Sequence, residues 1–260
     1  MNILLTNDDG IESEGIQKLA LALRDEGKHD LYVIAPDGNR SGVSHSISFL
    51  YAPVRLREHS LNTWSCSGNP ADCVMVATLG GLPVKPDLVL SGINRGANLG
   101  TDIVYSGTAA AARQAVLHGV PAIALSLAGN LSVREDEGAG YFWDMAVSFI
   151  MEKLPELIRM CAKDIFINMN IPNSRNGPLG MLSTYPCIQQ YMDELSTMKA
   201  PDGQTYCFMK LGSASFRGEP GSDIEAVQRN YVSVSPIFVH PTAGSGLSSS
   251  SSFGVSPQEG

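Results

Sequence analysis

Residues 2–26 read NILLTNDDGIESEGIQKLALALRDE. Ile3, Leu4 and Leu5 form an uninterrupted apolar run, the pattern of a strand covered on both faces. From residue 14 to 26 the period changes, and Ile16, Leu19, Ala20 and Leu23 fall on one side of a helix. A buried strand feeding an amphipathic helix is the unit of an α/β fold. Between the two stand adjacent aspartates, Asp8 and Asp9, followed by Gly10. Neighbouring carboxylates repel, so their place at the end of a strand asks for a compensating charge.

The same alternation continues outward. LYVIAP (31–36) reads as a second strand ended by proline, followed by the polar loop DGNRSGVSHS and some mixed β character through Trp64. Asn69 is placed as an N-cap with Pro70 as first helical residue, which predicts a short helix before the glycines at 80 and 81. DLVLSG (87–92) is a further apolar strand, INRGANLGTD a loop rich in glycine and asparagine, and SGTAAAARQAVLHG a helix ending at Gly119. VPAIALS reads as a strand, about 140–161 as a long helix, and DIFINMNIP as another strand. Apolar strands alternating with helices predict a doubly wound, Rossmann-like α/β core with a mostly parallel sheet.

From about 175 to 218 the pattern turns to proline, glycine and alternating residues, which predicts a protruding antiparallel arm or hairpin around the turn APDGQ. YVSVSPIFV (231–239) alternates, and either returns to the sheet or pairs with a partner chain. Residues 1–245 are expected to form a single domain, and the serine- and glycine-rich stretch 246–260 a disordered tail.

With 260 residues, 43% of them apolar, the chain fills a sizeable core. A formal net charge of −8 argues against a broad nucleic-acid or anionic-membrane surface. No segment approaches the roughly 18 uninterrupted apolar residues of a membrane span, and no basic, then apolar, leader is visible, so a soluble cytoplasmic protein is expected. Five scattered cysteines without C-x-x-C or zinc-type spacing read as reduced thiols with no chemical role.

Ligands of open α/β sheets bind beyond the carboxyl ends of the strands, where strand order reverses. Three strand-end loops supply oxygen donors: Asp8 and Asp9 after the first strand, Ser41 after the second, and Asn94 after the strand at 87–91. Two carboxylates, a hydroxyl and a carboxamide suit one hard divalent cation, Mg²⁺ or Mn²⁺, which also relieves the carboxylate repulsion. Beyond them, glycines in GANLGTDIVYSGT let the backbone approach a ligand, and the helix start at Ser106, Gly107 and Thr108 is a place for a phosphate. Together these features predict phosphate ester hydrolysis by metal-activated water. His45, in the loop that holds Ser41, is a weak candidate for contact with the leaving group, whereas His29 and His118 read as surface or capping residues. Asp223 reads as a helix N-cap, with a site role from the arm side as the other option.

The stretches NILLTNDDGIESEGI, APDGNRSGVSHSIS, GNPADCV and LVLSGINRGANLGTDIVYSGTAAAARQA, taken in order, resemble the SurE family of metal-dependent 5'/3'-nucleotidases, and the likeness runs with gaps from residue 1 to about 240. The resemblance implies a divalent metal on Asp8, Asp9, Ser41 and Asn94, with Asp8, Asp9 and Asn94 as catalytic groups. It implies phosphate contacts near Asn98 and Ser106 to Thr108, with Gly10 beside them. Nucleoside monophosphates are the implied substrates, and a homodimer or homotetramer built partly through the arm the implied assembly. The chain departs from the family pattern at Gly38, where arginine is usual, in the arm segment PLGMLSTYPCIQQYMDELSTM, and at His240, where an acid is usual. These departures bear on base preference and oligomer geometry more than on the reaction.

Other classes fit less well. A receiver-like phosphoryl-binding switch needs an aspartate at the end of the third core strand and a lysine after the fifth, whereas this chain has Ser91-Gly92 and no lysine in VPAIALSLAGN. A phosphatase with an aspartyl nucleophile of the haloacid-dehalogenase type presents two aspartates separated by one residue, and Asp8 and Asp9 are adjacent. A dinucleotide-dependent oxidoreductase lacks its G-x-G-x-x-G fingerprint after the first strand.

Overall fold

The computed structural model describes residues 1–129, 140–210, 212, 214–216 and 219–240. The elements run β1 Asn2–Thr6, α1 Glu14–Glu26, β2 Asp30–Pro36, β3 Leu56–Ser60, β4 Thr63–Cys66, α2 Pro70–Val76, β5 Leu88–Arg95, α3 Gly107–Leu117, β6 Ala122–Ala128, α4 Trp143–Met160 and β7 Ile165–Pro172. They are followed by β8 Met181–Ser183, β9 Gln189–Tyr191, β10 Glu194–Lys199, β11 Thr205–Lys210, β12 Ala214–Phe216, α5 Asp223–Gln228 and β13 Val232–Phe238.

Nine strands form one sheet in the order β3-β4-β2-β1-β5-β6-β7-β13-β8. The segment from β4 to β7 is parallel throughout, with Leu4 opposite Tyr32 on one side and Val89 on the other. The outer strands are mixed, since β3 and β13 run antiparallel to their inner neighbours. Chain order therefore reverses between β1 and β5, the place where a ligand crevice opens in such sheets.

Two apolar layers cover the sheet. Ile3 and Leu5 of β1 pack with Ile16, Leu19 and Leu23 of α1 and Ile150, Leu154 and Leu157 of α4. Leu4 points the other way, into a cluster with Val74 of α2 and Ala109, Ala112 and Ala115 of α3. This alternation explains why β1 needs a continuous apolar run: both faces are buried, and each such side chain contributes about 1.5–3 kcal/mol relative to remaining exposed. The alanines of α3 let that helix lie close to the sheet. Asn69 caps α2 as expected, within a capping box in which Asp72 accepts the Asn69 N–H at 2.8 Å.

The antiparallel arm is present as the β10–β11 hairpin, closed by a turn in which the Ala200 N–H donates to the Gln204 carbonyl at 2.9 Å. Two features of residues 175–218 differ from an arm alone. Strand β8 joins the main sheet in parallel with β13, and β9 pairs with β12 in a second small ribbon. Residues 232–238 return to the main sheet against β7, which resolves the two options for that segment. Asp223 is not the cap of α5: Ser222 is, with its hydroxyl accepting the Glu225 N–H. Residues 246–260 lie outside the described residues. No helix among the described residues is long and apolar enough to cross a membrane.

Candidate active site

At the end of β1, Asn7 folds the loop around the aspartates. Its amide nitrogen donates to the Gly10 carbonyl at 2.9 Å and to the Ser13 hydroxyl at 2.7 Å, and its amide oxygen accepts the Gly10 N–H. Gly10 has φ +99°, and a Cβ there would stand 2.9 Å from the Gly38 carbonyl carbon, so the first two strand-end loops touch through backbone. Gly38 itself has room for a side chain, with only an Arg40 nitrogen 3.7 Å from a Cβ.

The three loops converge on the aspartates. The Arg40 N–H donates to the Asp8 carbonyl at 2.7 Å, which brings the Ser41 loop against β1. From the β5 side, the Arg95 N–H donates to Asp9 Oδ2 at 2.9 Å. Asn94 spends its amide nitrogen on the Gly96 carbonyl at 3.0 Å, which turns its amide oxygen away from that bond. The loop at 44 crosses to the segment before α3, where Ser44 bonds the carbonyls of Val104 and Tyr105.

Asp8 is almost wholly buried, at 3% exposure, beneath the start of α3. Thr108 donates its hydroxyl to Asp8 Oδ1 at 2.6 Å and its N–H to Oδ2 at 3.1 Å. Gly107 is required there, since a Cβ would come within 2.8 Å of the Asp8 Cβ. Burial pushes the Asp8 carboxyl above its usual range, opposed by the bonds from Thr108 and the Gly107 backbone. Asp9 is pushed up to about 6 by burial and by the neighbouring Asp8, with the Arg95 N–H pulling the other way. Both carboxyls thus sit where anionic charge is under-compensated by the protein.

This arrangement corrects one expectation about the helix start. The N–H groups there are not left open: that of Ser106 bonds the Asp102 carbonyl, that of Thr108 bonds Asp8, and that of Ala109 bonds the Ser106 hydroxyl oxygen. Thr108 is fully buried and acts as a support of Asp8. Asn98 is also buried, held from behind by Asn170 on its N–H at 2.8 Å, by Asn168 and Asn170 on its carbonyl, and by Ser126, which accepts from its amide nitrogen. His45 is half-buried with Nε2 2.8 Å from Gln114 Oε1, and Gln114 Nε2 is 2.8 Å from His118 Nε2. An amide oxygen only accepts, so His45 carries its proton on Nε2, and burial lowers its pKa.

Several of these residues carried no signal in the sequence. Asn7, Gln114 and Asn170 act through partners that sequence spacing does not reveal. Asp223 does belong to the loop architecture, because its carboxylate accepts the N–H groups of Gly100 at 2.7 Å and Cys187 at 3.0 Å. Among the described residues no group of three or more His, Cys, Asp or Glu side chains gathers as a metal site.

A profile for the family described as "Survival protein SurE" matches residues 3–193 of this chain. The chain belongs to the SurE family. Relatives include the 5'-nucleotidase SurE of Haemophilus ducreyi, 42% identical over 94% of this chain and 96% of that protein. Another is the 5'-nucleotidase SurE of Thermoanaerobacter sp. strain X514, 38% identical over 91% of this chain and 92% of the relative. In three dimensions the chain is similar to the crystal structure of the SurE protein from Aquifex aeolicus, with a TM-score of 0.78, 34% identity, and coverage of 93% and 95% of the two chains. The mostly parallel sheet with its separate antiparallel hairpin is thus the SurE architecture.

Proposed function

We propose that this chain is a 5'-nucleotidase that hydrolyses nucleoside monophosphates, at the 5' and also the 3' position, with a divalent cation held by Asp8, Asp9, Ser41 and Asn94. The observation that carries the reading is the meeting of three strand-end loops on an under-compensated pair of carboxylates at the point where strand order reverses. The donors fit the cation. All are oxygen, as Mg²⁺ and Mn²⁺ prefer, and burial with mutual repulsion leaves Asp8 and Asp9 short of positive charge. One such ion per subunit accounts for the set. When bound, the ion polarises a phosphoryl group and lowers the pKa of a water.

The chain's own residues do the rest. Thr108 and the start of α3 fix the orientation of Asp8, and the Arg95 N–H fixes Asp9. In this reading the Ser106 hydroxyl and the loop around Asn98 contact the phosphate, with Gly10 allowing close backbone approach. Asp8 as a covalent nucleophile is disfavoured, because it is 3% exposed and both its oxygens accept from Thr108. His45, with Nδ1 free of its proton, is the candidate for the leaving-group side. In this reading residues 1–245 form one domain that works in the cytoplasm, and the exposed apolar residues of the hairpin, Leu195, Met198, Phe208 and Met209 among them, join copies into a dimer or tetramer. Release of inorganic phosphate from 5'- and 3'-nucleoside monophosphates tests the reading. Turnover that stops with EDTA and returns with Mg²⁺ or Mn²⁺ supports it, and turnover indifferent to chelation contradicts it.

A further inference from the structure

Next to Asp9 a cavity of about 430 Å³ opens between the start of α1, the end of β5 and the start of α4. Its wall is an aromatic and cationic cluster. The rings of Tyr141 and Trp143 stack with centroids 5.3 Å apart and planes 21° from parallel, and the Arg95 guanidinium carbon is 5.0 Å from the Tyr141 ring centroid. Arg95 is the residue whose N–H holds Asp9, so the cluster is joined directly to the carboxylate pair.

The cluster is firmly seated. Trp143 is buried against Gly15, where a Cβ would stand 2.9 Å from its ring and 2.1 Å from the Ile93 carbonyl oxygen. The Tyr141 hydroxyl closes over Gly129 at the end of β6, 2.8 Å from where a Cβ would be. A half-buried tyrosine and an exposed arginine face the cavity, while Ser13, Glu14 and Asn39 give it polar edges. Flat π-surface and guanidinium plane with hydrogen-bonding edges are the means by which proteins hold a nucleobase.

We infer that this cavity is the base subsite, and that Arg95 and Tyr141 select substrates carrying a purine, which offers more stacking area than a pyrimidine. The inference rests on the nucleotidase reading and goes beyond it by naming the residues that set base preference. Asp9 itself lines the cavity, so a base held there lies beside the carboxylate pair.

The test compares kcat/KM for AMP, CMP and ribose 5-phosphate, which lacks a base, in the parent, Tyr141→Leu, Tyr141→Phe and Arg95→Gln. Adenosine binding, followed by tryptophan fluorescence, is measured on the same proteins. The parent should prefer AMP over ribose 5-phosphate. Tyr141→Leu and Arg95→Gln should each lower that preference about tenfold, the scale of one base-stacking contact, while Tyr141→Phe keeps it. AMP and ribose 5-phosphate falling together, or an unchanged AMP preference in both Tyr141→Leu and Arg95→Gln, would overturn the subsite. A parent that hydrolyses none of the three esters but binds adenosine through Tyr141 would retain the subsite and sink the nucleotidase reading instead.

Discussion

Thr108 grips Asp8 with both of its donors, the hydroxyl on one carboxylate oxygen at 2.6 Å and the backbone N–H on the other at 3.1 Å, across 100 residues of chain. The positive end of α3 is therefore turned onto the Asp8 carboxylate. Thr108→Val keeps the shape and the N–H but removes the hydroxyl donor, leaving a buried carboxylate oxygen short of a partner. It should cost about 1–3 kcal/mol of stability and lower kcat at least tenfold, while Thr108→Ser keeps most of both. Thermal unfolding and phosphate release measured on the two variants check this.

Gly107 separates stability from activity. Alanine favours a helix over glycine by about 1 kcal/mol, yet a Cβ here would lie 2.8 Å from the Asp8 Cβ. Gly107→Ala should therefore leave α3 formed, as seen by circular dichroism, and reduce turnover by more than tenfold through displacement of Asp8. A fully active Gly107→Ala enzyme would show that the position of Asp8 is unimportant.

The under-compensated carboxylates predict a stability response to cations. At pH 7.5, Mg²⁺ or Mn²⁺ should raise the melting temperature of the parent protein, because an ion that binds only the folded chain stabilises it by mass action. EDTA should reverse the gain, and Asp9→Asn should lack it.

Asp223 ties the loop of Gly100 to that of Cys187, and its folded pKa is raised, with burial as the leading cause. A carboxyl raised in the folded state makes stability fall as pH increases from its unfolded value of about 3.9 up to the folded one. Asp223→Asn removes that slope, and replaces an acceptor of backbone N–H groups with a side chain that has only one acceptor oxygen. The variant should unfold about 1–3 kcal/mol more easily at pH 7, with a flatter pH profile of stability in denaturant titrations.

The parallel core was legible because its strands are buried on both faces: Ile3 to Leu5 and Leu88 to Leu90 read as unbroken apolar runs for the reason that two layers of helix cover them. Asn69 and Pro70 marked α2 by local hydrogen-bond chemistry. Strand β8 was hidden because three residues, Met181 to Ser183, carry no period, and its pairing with β13 is decided by tertiary packing alone. In the site, the strand-end rule picked out Asp8, Asp9, Ser41 and Asn94 as candidates, and the structure brings their loops together. It did not reveal that Thr108 serves Asp8, nor that Arg95 meets Tyr141, since both depend on contacts between segments far apart in sequence. Asp223 misled because acids favour both the cap and the first turn of a helix, and the neighbouring Ser222 took the cap.

The most direct test of the account is the initial rate of phosphate release from AMP as Mn²⁺ is titrated into metal-free parent and Asp9→Asn proteins, with melting curves recorded on the same samples. The account predicts saturable activation of the parent and at least a hundredfold lower rate for Asp9→Asn at every Mn²⁺ concentration, with a metal-free melting temperature no lower than the parent's. Equal rates in the two proteins would contradict it.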